Sequence, residues 1–438
     1  MNLPAIDGKK LFYAALVICV GLYVAQFAFL LKYAVNVPFW DEWEAINKGG
    51  ILVDQSLSQL FAQHNEHRIV TTKLLTLILY YFDGWNLVTH QAINFVIYGI
   101  LLVTVAYIVK KSTPELSAWI LPCFVIFMLT DVSIENHFWG FQSQFHFSLL
   151  FLFLSIWFLF NENQAWTKIV LGSLFSVLSI YSFSSGLVCS VVVLTGYVVF
   201  KGLRIYSTKE RRDAFQAASA FFLIAGAIGL YFVGFTRPDS LPLTLPYQKL
   251  FWTYLLNLFS GGFGFKIDNI APGVIVFFFT LVPVFGVIRQ SGRQMSAQKW
   301  VIIISMLAVL AALVTITMGR AGYGKGHSKA SRYSEITIML IPFSVAIWAI
   351  FLKEYDRVRT YILAGFWIFC CVGLWKYFSF QTDYAKESAE RRQALECVSD
   401  YYRNGGEANC PTAYPSPIAE RLEFVRDVPV SFIREINK

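Results

Sequence analysis

Three carboxylates stand among aromatic residues near the start of the chain, in the sequence WDEWE at 40–44. A carboxylate can take the proton of a hydroxyl group, and partial desolvation beside apolar side chains makes it a stronger base. Asp41, Glu42 and Glu44 are therefore candidate catalytic residues, with one of them acting as general base. The alternative is an aromatic belt with solvated acids at a membrane surface, which would have the same composition.

A second polar cluster follows at 64–68, with the sequence HNEHR. Histidine, glutamate and arginine side chains this close together suit a site that handles an anion, and His67 and Arg68 are the candidate anion-binding residues. His64 and His67 are three residues apart, but no third ligand has the spacing of a metal site, so we expect no metal. The alternative is a polar helix start that faces water.

The segment 131–145 mixes polar side chains with aromatic rings. Polar groups at the mouth of a helical bundle are costly unless they are paired or line a wet cavity. Aromatic faces beside amides and carboxylates also suit a sugar, through stacking and hydrogen bonds to its hydroxyls. The candidate residues for sugar or acceptor binding, here and in the neighbouring polar segments, are Glu66, Glu135, His137, Trp139, Gln142 and Tyr333.

A glycine-rich and basic segment lies at 319–334. It lacks the GxxxxGK[ST] pattern of a nucleotide-binding loop, but arginine side chains and free backbone N–H groups could hold a phosphate. Arg320 and Arg332 are the candidates. A flexible, solvated loop is the alternative, except that Arg332 begins a predicted membrane span, where a charge needs a partner.

The elements that must position these clusters are membrane-spanning helices. Of 438 residues, 56% are hydrophobic and 15% charged, against about 25% charged in soluble domains. Apolar runs of about 20 residues recur, whereas the alternating pattern of a membrane β-barrel does not. We predict an all-α polytopic protein with spans at 11–31, 88–109, 116–131, 141–160, 167–183, 186–203, 214–235, 272–288, 300–318, 335–352 and 360–380.

The distribution of basic residues predicts the orientation. The net charge of +8 lies largely in short connections between apolar segments, so it indicates cytoplasmic loops and not nucleic acid. This places the N-terminus in the cytoplasm and the C-terminus outside, with a first outer loop at 32–87 and a small tail at 381–438. The apolar segment 69–82 is short for a span, and we predict a helix at the outer membrane interface.

Over residues 1–115 the chain resembles the GT-C superfamily of glycosyltransferases. The elements follow in the order of that family: a first span, an outer loop that opens with acids, an interfacial helix with a basic residue, and a second span. The family's region from the loop to the second span resembles this stretch of the chain: HRIVTTKLLTLILYYFDGWNLVTHQAINFVIYGILLVTVAYIVKK. The strings WDEWE, HNEHR, WGFQSQF and ASRY are similar to bacterial proteins of O-antigen modification, including serotype-converting glycosyltransferases.

The resemblance implies a bacterial inner-membrane enzyme that moves a sugar from a polyprenyl-phosphate carrier to a cell-surface glycan on the periplasmic face. Asp41 would be the base, with Glu42 and Glu44 as alternates, and Arg68, Arg320 and Arg332 would hold the phosphate. A single base without a second carboxylate nucleophile implies inversion. We expect no cofactor, membrane lipids and a glycan acceptor as partners, and cooperation with a donor synthase and a small flippase.

Two other functions and one covalent link complete the predictions. An O-antigen polymerase or ligase would depend on arginines in late outer loops, and a lipid-linked oligosaccharide flippase would carry buried charges along several spans. The acids cluster at one face, which favours an enzyme. Because the tail would lie in an oxidising compartment, we predict a disulfide between Cys397 and Cys410.

Overall fold

The computed structural model of the chain describes residues 8–114, 125, 130–238, 243–265, 268–378, 380–405, 409–425 and 428–436. These residues form helices and connections without a strand, apart from one isolated bridge between His64 and His67. The chain is an all-α, multi-pass membrane protein, as the sequence predicts. The predicted span at 116–131 lies almost entirely outside the described residues.

The helices of the first half begin with the long α1. They are α1 (Gly8–Tyr33), α2 (Leu57–Phe61), α3 (Val70–Asp83), α4 (Leu87–Ser112), α5 (Ile134–Phe138), α6 (Ser143–Leu159), α7 (Trp166–Ile180), α8 (Ser184–Thr208) and α9 (Arg211–Tyr231).

The second half continues the bundle and ends in a polar segment. Its helices are α10 (Lys249–Gly262), α11 (Ala271–Ser291), α12 (Ala297–Arg320), α13 (Ser334–Ile338), α14 (Leu340–Phe351), α15 (Asp356–Leu374), α16 (Phe380–Asn404), α17 (Ala419–Val425) and α18 (Ser431–Ile436).

Nine stretches of the described residues are long and apolar enough to cross a membrane: α1, α4, α6, α8, α9, α11, α12, the α13–α14 pair and α15. They correspond to nine of the predicted spans. The predicted span at 167–183 is α7, an apolar helix of 15 residues. Although α7 is short, hydrogen bonds on either side of it show that it crosses the bundle. Glu162, before α7, accepts the amide of Gln298 at the start of α12, and Ser182, after α7, accepts the hydroxyl of Thr71 on α3. The total of eleven spans stays a prediction.

The short basic connections meet at one end of the bundle. Lys111, Lys299 and Lys353 line one cavity of about 330 Å³ there, although they come from three separate connections. The opposite end, which we call the site end, carries the first loop, the segment 130–142 and the glycine-rich segment 319–334. We call this last segment the late loop; it includes Arg320 at the end of α12. This arrangement agrees with the predicted alternation of the spans.

Close helix packing at the site end depends on small residues. A Cβ atom at Gly273, at the start of α11, would lie 2.0 Å from the carbonyl oxygen of Leu256 on α10, so only glycine fits there. The segment 236–271, predicted as a loop, thus contains a helix that is packed into the bundle, with Tyr254 and Phe259 fully buried. Neighbouring helices approach closely where side chains are small.

The short helix α3 has two different faces. Thr72, Leu75 and Leu79 are buried, whereas Leu74, Ile78, Tyr81 and Phe82 are exposed. An exposed apolar face beside a buried one is typical of a helix that lies along a membrane surface. At 14 residues α3 is not among the nine candidate spans.

The C-terminal segment packs back onto the first loop. The backbone N–H of Ser431 donates to Gly84 at 2.7 Å, and the ring of Phe432 meets the buried indole of Trp43 edge-on. Cys397 and Cys410 form a disulfide, which joins α16 to the turn before α17. The segment predicted as a tail therefore forms part of the site end.

Candidate functional site

The acidic sequence WDEWE forms a 3-10 helical turn at Trp40–Ile46. Two contacts fix this turn: the backbone N–H of Trp40 donates to Ala413 at 2.8 Å, and Trp43 is fully buried. Trp40 has a φ of 47°, a left-handed conformation that costs free energy in a bulky residue and is held by its surroundings. The three acids of the turn face three different environments.

The side chain of Glu42 is buried in the protein interior. Its side chain accepts the backbone N–H of Phe39 at 3.0 Å and that of Phe141 at 3.1 Å, so it joins the first loop to the start of α6. Burial raises the pKa of Glu42 to about 7, against the effect of these hydrogen bonds. The predicted role of Glu42 as an alternate base is not favoured by this geometry, because both oxygens already have partners.

Glu44 is held by the C-terminal segment. Its Oε1 accepts the Tyr414 hydroxyl at 2.6 Å and the Arg421 guanidinium at 2.7 Å, while Oε2 accepts the Asn47 amide at 3.1 Å. Burial would raise the pKa of Glu44, but these three hydrogen bonds together keep it below its usual range. A carboxylate with this many donors is a weak base, which also disfavours it as an alternate to Asp41.

Asp41 is the available acid of the three. Its side chain is 37% exposed, and its ion-pair partner among the described residues is His64, with Oδ2 and Nε2 4.0 Å apart. Burial raises the pKa of Asp41, while His64, Arg332 and Arg320 act in the opposite direction. The two arginines of the late loop therefore lie close enough to Asp41 to act on its charge.

A cavity of about 140 Å³ opens beside the acids. It lies between the first loop and the buried face of α3. Its polar lining consists mainly of Asp41, Glu42, Glu44, Gln59, Gln63, His64, Thr72, Lys73 and His90. Burial lowers the pKa of Lys73 to about 8, and its ammonium donates to the carbonyls of Gln59 and Ala62 at 2.8 and 2.7 Å.

The two late arginines each contact a glutamate of an earlier loop. Arg320 pairs with Glu66, and Arg332 Nη1 lies 3.7 Å from Glu135 Oε2. All four side chains are partly exposed. A guanidinium has five N–H donors, so one carboxylate contact leaves others for a ligand. The predicted residues Glu66, Glu135, Arg320 and Arg332 thus lie at one end of the molecule, around the acidic turn.

His327 lies in the same loop as these arginines. Its Nδ1 is 3.3 Å from the Tyr254 hydroxyl, and its ring is 5.4 Å from that of Tyr323 and 6.0 Å from that of the buried Tyr333. Burial, followed by the charges of Arg332 and Arg320, lowers the pKa of His327 to about 4. The imidazole is therefore neutral near pH 7 and sits among aromatic rings.

Four of the predicted sugar-binding residues lie in the interior, and one of them is Tyr333, which is 4% exposed. His137 is fully buried between the rings of Phe95 and Tyr98, and Trp139 is 4% exposed. Gln142 is 2% exposed and accepts the amide of Gln144 at 3.4 Å. None of these four side chains lines the cavity beside the acids.

Arg68 and His67 are also more enclosed than the sequence suggests. Arg68 is 8% exposed, and its Nε, Nη1 and Nη2 donate to the carbonyls of Tyr231, Phe61 and Val233. His67 stacks against the ring of Phe183 at 4.2 Å. With its nitrogens committed to backbone oxygens, Arg68 ties the first loop to the end of α9 and is not placed to hold a phosphate.

One buried network was missed at the sequence level. Glu335 is fully buried, and its Oε2 lies 3.0 Å from Nε2 of His146 and 2.9 Å from the amide of Asn136. The signal was available, because Glu335 begins the predicted span at 335–352, and an acid there needs a partner. The described residues contain no group of three or more His, Cys, Asp or Glu that could hold a metal ion.

Comparisons with known proteins give no family assignment. No family model matches the chain, and no curated protein matches it either.

Proposed function

We propose that this protein is an inverting membrane glycosyltransferase. It would transfer a sugar from a polyprenyl-phosphate carrier to a surface glycan at the site end. From the charge bias of the sequence we assign this end to the periplasmic side of a bacterial inner membrane. The observation that carries the proposal is the chain of contacts that links Asp41 to the late arginines. Asp41 faces His64 at 4.0 Å, Glu66 of the same polar cluster pairs with Arg320, and the charges of Arg332 and Arg320 oppose the rise that burial causes in the pKa of Asp41.

Asp41, Arg320 and Arg332 supply what the reaction needs. The acceptor hydroxyl oxygen attacks the anomeric carbon of the sugar while its proton passes to the Asp41 carboxylate. The bond between that carbon and the carrier phosphate breaks on the opposite face, and the phosphate leaves as an anion. Arg320 and Arg332 stabilise the negative charge that develops on it. One carboxylate that acts only as a base gives inversion of configuration.

The exposed face of α3 supports a substrate anchored in lipid. Leu74, Ile78 and Phe82 point outward, while Thr72 and Lys73 of the same helix line the cavity. A helix at the membrane surface with these two faces would put the cavity at the depth of lipid headgroups. A polyprenyl chain could then remain in the bilayer while its phosphate reaches the late loop.

The other two acids take structural roles in this account. Glu42 joins the acidic turn to the start of α6, and Glu44 joins it to Tyr414 and Arg421 of the C-terminal segment. Together they fix the turn that carries Asp41. The C-terminal segment is thus needed to complete the site.

The proposal is tested with purified protein in nanodiscs and a panel of polyprenyl-phosphate hexoses, with a lipid-linked glycan as acceptor. The readout is the release of free polyprenyl phosphate, which depends on acceptor only if sugar is transferred. The rival polymerase or ligase would act on a glycan linked through a diphosphate. Turnover of a diphosphate-linked glycan, with none of the monophosphate donors, would contradict the proposal.

A further inference from the structure

A buried charge pair next to the proposed site has no part in the reaction as described. Glu335 and His146 lie 3.0 Å apart, and neither side chain is exposed. Charged groups at membrane depth are costly unless their hydrogen bonds are satisfied, and such residues usually carry a function. The partners of this pair indicate what that function is.

The orientation of His146 is fixed through Asn94 on α4. The Asn94 amide nitrogen donates to the carbonyls of Asn136 and Trp139, at 2.7 and 3.2 Å. Its oxygen must therefore accept from His146 Nδ1, which lies 2.6 Å away and carries a proton. On the other side of the ring, His146 Nε2 lies 3.0 Å from Glu335 Oε2, within hydrogen-bond distance.

Asn136 connects this pair to Arg332. Its amide nitrogen donates to Glu335 Oε2 at 2.9 Å and to the carbonyl of Arg332 at 3.0 Å. Arg332 lies in the 3-10 turn Ser331–Tyr333, which leads directly into α13, so Glu335 follows it by about one helical turn and is the acid best placed by sequence to pair with it. Among the described residues, however, the salt-bridge partner of Arg332 is Glu135, at the longer distance of 3.7 Å.

We propose that His146 and Asn136 hold Glu335 away from Arg332 and so keep the Arg332 guanidinium available to an anionic ligand. His146 and Asn136 are then positioning residues, and Glu335 is the group that they restrain. Under the proposed function the ligand is the phosphate of the carrier lipid, and the inference rests on that function for the identity of the ligand alone. The restraint on Glu335 follows from the contacts themselves.

The test releases Glu335 from its partners. In His146→Leu the carboxylate loses one donor, and in Asn136→Ala it loses the other, so that Glu335 can turn toward Arg332. Two readouts follow this change: labelling of Arg332 by phenylglyoxal, which reacts with accessible and unpaired arginines, and binding of farnesyl phosphate by calorimetry in detergent. Neither readout requires turnover.

We expect both release variants to lower Arg332 labelling and to weaken farnesyl phosphate binding roughly tenfold or more, the scale of one charge-assisted hydrogen bond. Adding Glu335→Gln to His146→Leu removes the competing charge and should restore both readouts. The single variant Glu335→Gln should match the wild type. A purely structural role predicts no such rescue, because the double variant departs further from the native core.

The outcomes separate the two proposals. Unchanged Arg332 labelling in a folded release variant would overturn the inference. A folded double variant that still binds farnesyl phosphate tenfold more weakly than the wild type would also overturn it, even if the single variant His146→Leu fails to fold. Wild-type protein that binds no farnesyl phosphate, with labelling that follows the expected pattern, would support the inference and contradict the proposed function.

Discussion

The carboxylate of Asp41 faces the imidazole of His64 at 4.0 Å, although the two residues belong to separate polar clusters of the first loop. His64 is held in place by a reciprocal pair of backbone hydrogen bonds with His67, each of 2.8 Å. Between them the chain turns back at Asn65, which has a φ of 50°. The two clusters that the sequence presents separately thus form one site.

Arg320 and Arg332 should contribute to binding of the lipid donor and not to the stability of the protein. Arg320→Lys and Arg332→Lys keep a positive charge but lose the planar fork that can bond two phosphate oxygens. We expect the KM for the lipid donor to rise at least roughly tenfold in each, with an unchanged KM for the acceptor. Steady-state kinetics with varied donor would show this, and a donor KM equal to the wild type in both variants would remove these residues from the site.

Arg68 provides the matched comparison, since it is also an arginine at the site end. Its three nitrogens donate to backbone carbonyls of Phe61, Tyr231 and Val233. Arg68→Lys should therefore lower the thermal midpoint and leave the donor KM of the remaining folded protein unchanged. A selective rise in donor KM without a loss of stability would show that Arg68 contacts the substrate after all.

The disulfide should stabilise the C-terminal segment against the acidic turn. Cys397 and Cys410 are 13 residues apart, and closing a loop of this size contributes roughly 3 kcal/mol in the chain-entropy model. The turn at Cys410 leads directly to Tyr414, which holds Glu44. Cys397→Ser with Cys410→Ser should make the segment after residue 404 sensitive to protease and reduce activity.

Mass spectrometry of protein purified without reductant provides the control for this experiment. It should find the two cysteines linked to each other. Two free thiols would contradict the disulfide, and equal protease resistance in the wild type and the double serine variant would show that it does not hold the segment.

Asp131 lies at the site end, in the 3-10 turn Asp131–Ser133 and outside the nine candidate spans, and it should make stability depend on pH. Burial, together with the neighbouring carboxyl of Asp383 on α16, raises the pKa of Asp131 to about 8. The folded state therefore binds a proton that the unfolded chain, with a pKa near 3.8, releases. This contribution to stability is full below pH 4 and is lost as the pH rises through 8.

Asp131→Asn, which cannot ionise, tests that dependence. As the pH rises from 6 to 9, we expect the thermal midpoint of the wild type to fall further than that of the variant. At pH 9 the variant should be the more stable protein, because it does not place a buried negative charge beside the carboxyl of Asp383. Parallel pH curves for the two proteins would show that Asp131 is not protonated in the folded state.

Much of the architecture follows from the sequence, because apolar length and basic connections are local signals. They predict the nine candidate spans, the order in which the chain passes between the two ends, and α3 as a separate short helix. The helix α10 was missed because a segment of 14 residues is too short to be read as a span. Its burial depends on the close approach at Gly273, which only the folded structure shows.

The site was only partly predictable, for a similar reason. The residue types of WDEWE identify three acids, but their roles depend on contacts with residues far away in sequence. Glu44 meets Arg421, and Glu42 meets the backbone of Phe141, so Asp41 alone stays available. Likewise, no local pattern distinguishes Arg68, which is bound to carbonyls, from Arg332, which lies near Asp41.

Asp41→Asn tests the central claim most directly, because it keeps the shape of the side chain and removes its basicity. We predict that transfer falls at least about a hundredfold, while protein yield and farnesyl phosphate binding stay near wild type. Asp54→Asn is the matched control, an exposed acid in the same loop, and should have full activity. Near-wild-type transfer by folded Asp41→Asn would contradict the account.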